Sequence, residues 1–225
     1  MKIAITGATG FIGRNLAPAL REAGHDVVGL GRDRAALERL GASGVQGETT
    51  HYSRDNLERL LAGVDAVVHP AGRRSSREDD PLAARPFLDP NVGLLDSLMA
   101  ASRTCGVGRV VLASTIAVYS STNPVPYRED EPVLGLNPYG LSKATAEGLL
   151  DIWRRRGDIR TSALRLAAGF GHGERVSAVL MRFIDNASRG EPLVVRGDRN
   201  IGVDQIYIRG IVGAFMANLE PHAPQ

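Results

Sequence analysis

One cysteine, Cys105, stands among 225 residues. No intramolecular disulfide can form, which suits a reducing compartment and predicts a cytoplasmic protein. Cys105 follows a helical pattern, so packing accounts for it better than nucleophilic chemistry does. An excess of one charge is also lacking: 27 basic residues face 25 acidic ones, for a formal net charge of +2. That balance leaves no electrostatic footprint for nucleic acid or an anionic membrane surface. No apolar run approaches the ~20 residues of a membrane span. The first residues enter a strand pattern at once, which argues against a leader peptide. His, Cys, Asp and Glu nowhere gather at metal-ligand spacing, so no metal site is expected. Internal repeats and low-complexity tracts are absent. What remains is a chain long enough for one large α/β domain with a substantial core.

The most informative stretch is Ile3-Ala-Ile-Thr-Gly-Ala-Thr-Gly-Phe-Ile-Gly13. Ile3 to Ile5 reads as a buried strand. Glycines follow at 7, 10 and 13, and then an apolar helical pattern: Phe11, Ile12, Leu16, Ala19 and Leu20. A strand, a glycine-rich turn and a helix form an anion site, because the N–H groups and the dipole of the helix start favour a phosphate. Gly7 permits the tight turn, Gly10 a close approach to a pyrophosphate, and Gly13 close packing of helix on strand. The expected contacts are Gly7, Thr9, Gly10, Phe11, Ile12 and Gly13. The spacing is G-x-x-G-x-x-G, a variant of the usual dinucleotide fingerprint.

Further strand patterns lie at Asp26–Leu30, near Val45, at Ala66–Pro70, at Arg109–Ala113 and at Ile159–Leu166, separated by helical patterns. This alternation predicts an α/β fold: a doubly wound parallel sheet of the Rossmann kind, with ligands at the carboxyl ends of its strands. Residues 1–166 form the expected dinucleotide-binding domain, and 167–225 a small, reduced C-terminal substrate-binding region interleaved with the sheet. At the end of the second strand stand Gly31 and Arg32. No carboxylate repels a 2′-phosphate there and Arg32 offers a partner for one, which points to NADP, with NAD possible. Asp33 is the competing acid, or else the cap of the next helix. Ala71 and Gly72 should lie beside the cofactor. His69, inside its strand, reads as a core histidine. Arg73 to Pro90 reads as a loop and a candidate lid, Asn91 as a helix start, and Val194-Val195 and Gln205–Ile208 as short strands. Val179 to Ile184 and Ile211 to Leu219 read as helices, and 220–225 as a frayed tail.

Asn137-Pro138 marks a helix start. Tyr139 falls in its first turn and Lys143 one turn later, on the same face. A nearby ammonium favours the phenolate, so Lys143 is expected to lower the Tyr139 pKa. The strand at Arg109–Ala113 delivers Ser114 and Thr115 to the crevice, where a hydroxyl can orient a substrate oxygen. The candidate catalytic residues are therefore Thr115, Tyr139, Lys143 and Ser114, in a hydride-transfer site where tyrosine moves the proton.

At these residues the chain resembles the extended short-chain dehydrogenase/reductase family, in its NAD-dependent epimerase/dehydratase branch. Thr6–Gly13, Val67–Gly72, Asn91–Gly93, Ser114–Tyr119 and Pro138–Lys143 carry the likeness, with Leu164-Arg-Leu166 and Gly171 as a further segment. The resemblance implies that Tyr139 is the acid/base, that Lys143 also holds the nicotinamide ribose, that Thr115 polarises the substrate and that Asn91 adjoins the cofactor. It implies a sugar or nucleotide-sugar substrate and a homodimer built on the helices from Asn91 and Tyr139, with Val92, Leu95 and Met99 at the interface. Three features depart from the family pattern. Ala168 stands where nucleotide-sugar members usually carry asparagine. Arg209-Gly210 stands where an acidic pair is usual, and the C-terminal region is short. Two other functions fit the same residues: an NADP-dependent carbonyl reductase or alcohol dehydrogenase on a small non-sugar substrate, and a non-catalytic dinucleotide sensor.

Overall fold

Alternate residues of a strand face opposite sides of its sheet, and both sides are apolar here. Ile3 and Ile5 join one buried cluster, while Ala4 between them joins the other. A strand of this kind is stable only with helices on both faces. The computed structural model describes residues 1–76, 78–174, 179–195 and 202–220. Its elements run in the order β1 (Lys2–Thr6), α1 (Phe11–Glu22), β2 (Asp26–Gly31), α2 (Arg34–Gly41), β3 (Gln46–Thr49), α3 (Arg54–Leu60), β4 (Ala66–His69), α4 (Arg85–Leu88), α5 (Leu94–Thr104), β5 (Arg109–Thr115) and α6 (Pro138–Arg156). They continue with β6 (Arg160–Leu166), β7 (Ala168–Phe170), α7 (Val179–Ser188), β8 (Gln205–Tyr207) and α8 (Ile208–Ala217).

Six parallel strands form one sheet in the order β3-β2-β1-β4-β5-β6. The order reverses between β1 and β4, and the crevice above that switch point is where an open α/β sheet binds its ligand. Leu16, Ala17 and Leu20 of α1, with Leu37 and Leu40 of α2, cover one face. Leu57, Leu95, Leu98, Met99 and Leu150, from α3, α5 and α6, cover the other. Late in the chain α8 returns to lie against α1 and buries Ile211 and Phe215 in the first cluster. Strands β7 and β8 pair in a separate two-stranded sheet.

Several expectations need correction. The segment from Arg73 to Pro90 is not loop throughout: Arg85–Leu88 is helical, and one wide turn, Asp89–Gly93, joins it to α5. Phe87 drives this, since its buried ring anchors the turn. Strand β5 runs on through Ser114 and Thr115 because both stay in register with β6. Val194-Val195 is not a strand; both side chains are exposed. Ile208 opens α8 instead of closing β8. Leu95 and Met99 are fully buried within the chain, so they offer no surface to a second copy. Of the expected frayed tail, 221–225 lies outside the described residues.

Candidate functional site

The glycine turn is built as a phosphate site requires. Gly7 adopts φ +60, and a Cβ there would stand 2.9 Å from the Ala71 Cα; at Gly13 it would stand 2.4 Å from the Gly7 carbonyl oxygen. Gly10 caps α1 with no side-chain hydrogen bond, and the first turn holds no acidic residue. Among the described residues, the positive end of this helix thus faces the crevice with no side-chain cap and no acid in its own first turn. Thr9, Phe11 and Ile12 lie in this turn and first helical turn. The residues present fit a bound dinucleotide. Its nicotinamide would supply hydride chemistry.

Ala71 and Gly72 follow β4 at the crevice. Gly72 is a tight point: a Cβ there would meet the Asn91 Oδ1 at 2.6 Å and the Lys143 Nζ at 3.3 Å. Asn91 is fully buried, and its amide faces the protein. Its Oδ1 accepts from the Arg73 N–H at 2.7 Å, and its Nδ2 donates to the Arg73 carbonyl and to the Ser142 Oγ at 2.8 Å. Ser142 donates in turn to the Tyr139 carbonyl at 2.7 Å. Asn91 therefore ties the segment after β4 to the first turn of α6.

That turn is set by its cap. Asn137 Oδ1 accepts from the Gly140 N–H at 2.8 Å, and Pro138 takes the first helical position. Lys143, 5% exposed, donates from Nζ to the Ala113 carbonyl at 2.9 Å. Burial pushes its ammonium down to about 8, against an upward pull from Glu147. The Tyr139 ring lies 6.3 Å from Phe87, whose other neighbour is the Arg73 guanidinium at 5.2 Å. The expected lowering of the phenol by Lys143 does not occur. Burial raises the Tyr139 pKa, and the pulls in the other direction come from the Thr115 hydroxyl and the Arg74 charge. The physical reason is the burial of the phenol, which outweighs those pulls, while the Lys143 Nζ is held on the Ala113 carbonyl of β5.

Ser114 and Thr115 part company, as neighbours on a strand must. Thr115 reaches Tyr139, and its Oγ1 also accepts from the Ala117 N–H at 3.2 Å. Ser114 donates instead to the Glu147 carboxylate. Glu147 forms a largely buried ion pair with Arg165 at 2.9 Å, and Arg165 also donates to the Tyr119 hydroxyl at 2.7 Å. This network braces the floor under Lys143.

Arg74 and Glu174 were not among the sequence candidates. Arg74 donates from both terminal nitrogens to Glu174, at 3.0 and 2.9 Å, across 100 residues of chain. Beside Glu174, the His172 carbonyl accepts from the Asn15 amide of α1 at 3.1 Å. The segment after β7 thus bridges the start of α1 and Arg74, whose charge acts on Tyr139. The only signal in the sequence was the pair Arg73-Arg74 directly after Gly72. His69 is the core residue expected: fully buried, bonded through Nδ1 to Thr6 Oγ1 at 2.7 Å, and pushed down to about 3 by burial and then by Lys143. Cys105 donates its thiol to the Glu58 carbonyl, and burial pushes that thiol's pKa up. No cluster of three or more His, Cys, Asp or Glu side chains placed to hold a metal ion occurs among the described residues, and none of their helices is long and apolar enough to cross a membrane.

The profile of the NAD dependent epimerase/dehydratase family matches residues 3–224. The chain belongs to that family. It is an enzyme of the short-chain dehydrogenase/reductase type. Among its relatives, the uncharacterized UDP-glucose epimerase YtcB of Bacillus subtilis (strain 168) is 29% identical, over 99% of this chain and 74% of its own length. The 2-alkyl-3-oxoalkanoate reductase of Stenotrophomonas maltophilia (strain K279a) is 31% identical, over 100% of this chain and 67% of its own length. The crystal structure of a UDP-glucuronic acid 4-epimerase from Bacillus cereus, in complex with UDP-glucuronic acid and NAD, superposes with a TM-score of 0.83 at 26% identity. That superposition covers 99% of this chain and 74% of the other.

Proposed function

We propose that this family member transfers hydride between a nicotinamide dinucleotide and a hydroxyl-bearing carbon of a nucleotide sugar, with Tyr139 moving the proton. The observation that carries this is the hydrogen bond between the Tyr139 hydroxyl and Thr115, with the Arg74 charge acting on the same phenol and buried Lys143 one helical turn on. Tyr139 Oη takes the proton as the substrate hydroxyl becomes a carbonyl and returns it in the reverse step. Thr115 orients the substrate oxygen, and Arg74 stabilises the phenolate. Lys143 holds the ribose beside Gly72 and keeps its aliphatic stem against the sheet, while Ser114 acts through Glu147. Residues 167–225 supply part of the substrate wall through Glu174 and its neighbours.

Tyr139→Phe keeps the ring and removes the hydroxyl. Once a screen of sugars, nucleotide sugars and small carbonyls, read by nicotinamide absorbance, has found a substrate, turnover should fall roughly 10²–10⁴-fold, the range of general acid–base catalysis. Near-normal turnover overturns the assignment. Lys143→Met should lose turnover and also weaken dinucleotide binding.

The finer cofactor reading is NADP. Asp33 Oδ1 accepts from the Ala36 N–H at 3.0 Å as the cap of α2, which leaves Arg32 as the charge that reads the ribose end. Arg32→Ala should weaken NADP and leave NAD nearly unchanged; equal losses count against it. A reductase on a small non-sugar carbonyl is the second reading, favoured by Ala168 at the start of β7 and by the reductase relative. The intact Tyr139, Thr115 and Lys143 set argues against a sensor without catalysis. Localisation in the cytoplasm remains our reading from cysteine usage. A homodimer would have to use other side chains than Leu95 and Met99, such as exposed Leu141 and Ile152 of α6.

A further inference from the structure

Tyr52 is the one non-glycine residue with a positive φ, +64, among the described residues. A bulky side chain rarely sits there without a structural cause. The cause is visible at both ends of the residue. Its backbone N–H donates to Thr50 Oγ1 at 2.9 Å, and the Thr50 N–H donates to the Gly31 carbonyl at 2.8 Å, so the turn after β3 is laced to the end of β2. Its side chain then crosses the carboxyl end of β2 toward β1. There the hydroxyl accepts from the Gly7 N–H at 3.2 Å and donates to the Leu30 carbonyl at 3.2 Å. The ring rests on the apolar cluster of the α3 and α5 face.

This is the adenosine end of the crevice. In a doubly wound sheet the ribose lies at the end of β2, beside the turn that holds the pyrophosphate. An N–H and a carbonyl oxygen at that place are the two groups a sugar hydroxyl would engage, one as donor and one as acceptor. Arg32, which reads the same end, is close enough for its charge to act on the Tyr52 phenol. We propose that Tyr52 is a specificity-determining gate for the adenosine half of the dinucleotide, its hydroxyl standing between Gly7 and Leu30 where a ribose hydroxyl would bond, so that the nucleotide must displace it to bind. The inference rests on the dinucleotide reading of the crevice.

Calorimetric titration with ADP-ribose, nicotinamide mononucleotide and NADH tests it on the full chain, with thermal melts to verify folding. Tyr52→Phe removes the two hydrogen bonds and keeps the ring. It should bind ADP-ribose about three- to tenfold more tightly than the wild type, the factor expected when one or two net hydrogen bonds no longer compete. Nicotinamide mononucleotide should bind both proteins equally. Tyr52→Ala, which removes the ring as well, should bind ADP-ribose at least as tightly as Tyr52→Phe. ADP-ribose binding by a variant where the wild type shows none also supports the gate. Unchanged affinity places Tyr52 outside the nucleotide site, and weaker binding by both variants makes its ring a wall of that site; either overturns the proposal while NADH binding leaves the dinucleotide reading intact. If no protein binds any of the three probes, the dinucleotide reading falls and the gate falls with it.

Discussion

Helices α1 and α7 carry the same kind of sequence, an apolar stripe at helical spacing, and end in different situations. In α1 the stripe is sealed: Leu16, Ala17 and Leu20 are fully buried between the sheet and α8. In α7 no described side chain is buried, and Val179 and Ile184 stand about half exposed. Amphipathic spacing says which face of a helix seeks cover, and says nothing of whether cover exists. The contrast extends to the site. Thr115, Tyr139 and Lys143 are held by strand ends and a capped helix within the first 166 residues. The later region reaches the site through the described clasp of Glu174 on Arg74.

The sharpest way to break this contrast is to unseat the early region from beneath. Glu147→Ala leaves the Arg165 guanidinium largely buried without its partner and frees the Ser114 hydroxyl. Breaking a buried pair in this way costs roughly 3–5 kcal/mol, and urea unfolding should show a loss in that range. A loss under about 1 kcal/mol would mean that the pair behaves as a surface one. Next in size is Leu16→Ala in α1, where truncating a fully buried leucine costs roughly 2–5 kcal/mol. The same unfolding curves check it, and a change near zero would deny that α1 is sealed.

Much of the early region was legible because its signals are local. The strand, glycine turn and helix sit within thirteen residues, and Tyr139 and Lys143 are one turn apart behind an Asn-Pro start. The α/β alternation followed from apolar runs long enough to bury on two faces. What escaped was set by partners distant in the chain. Arg74 meets Glu174 from 100 residues away, and Tyr52 reaches Gly7 from 45. Leu95 and Met99 carry an interface-like pattern that the monomer itself covers. The same kind of ambiguity explains Ser114 and Thr115: adjacency in sequence hides the fact that a strand sends neighbours to opposite sides. The direction of the Tyr139 shift is set by the burial of the ring, which helical spacing alone does not reveal.

A smaller effect probes the floor of the crevice through pH. His69 stays neutral in the fold down to about 3, while in the unfolded chain it takes up a proton near 6.5. Between those values the unfolded state binds more protons, so stability is fully present above 6.5 and falls as the pH drops. One such group contributes at most about 1.4 kcal/mol per pH unit. His69→Gln removes that contribution, and its stability between pH 6.5 and 5 should fall less steeply than that of the wild type. Parallel slopes in urea unfolding across that window would show that His69 is not the group responsible.

The smallest effect is expected in α7, and it sharpens the comparison with α1. Ile184 is 48% exposed, so replacing it removes little apolar area from a protected place. Ile184→Ser should change stability by less than about 0.5 kcal/mol, as surface substitutions usually do. Set beside Leu16→Ala, the two numbers measure the difference between a stripe that is fully buried and one that, among the described residues, is not. Helix propensity is nearly the same for isoleucine and serine, so the result is not confounded by the helix itself. A loss approaching that of Leu16→Ala would require the α7 face to be covered in solution. If the loss also grew with protein concentration, a second copy of the chain would be the cover, because association stabilises a fold by mass action.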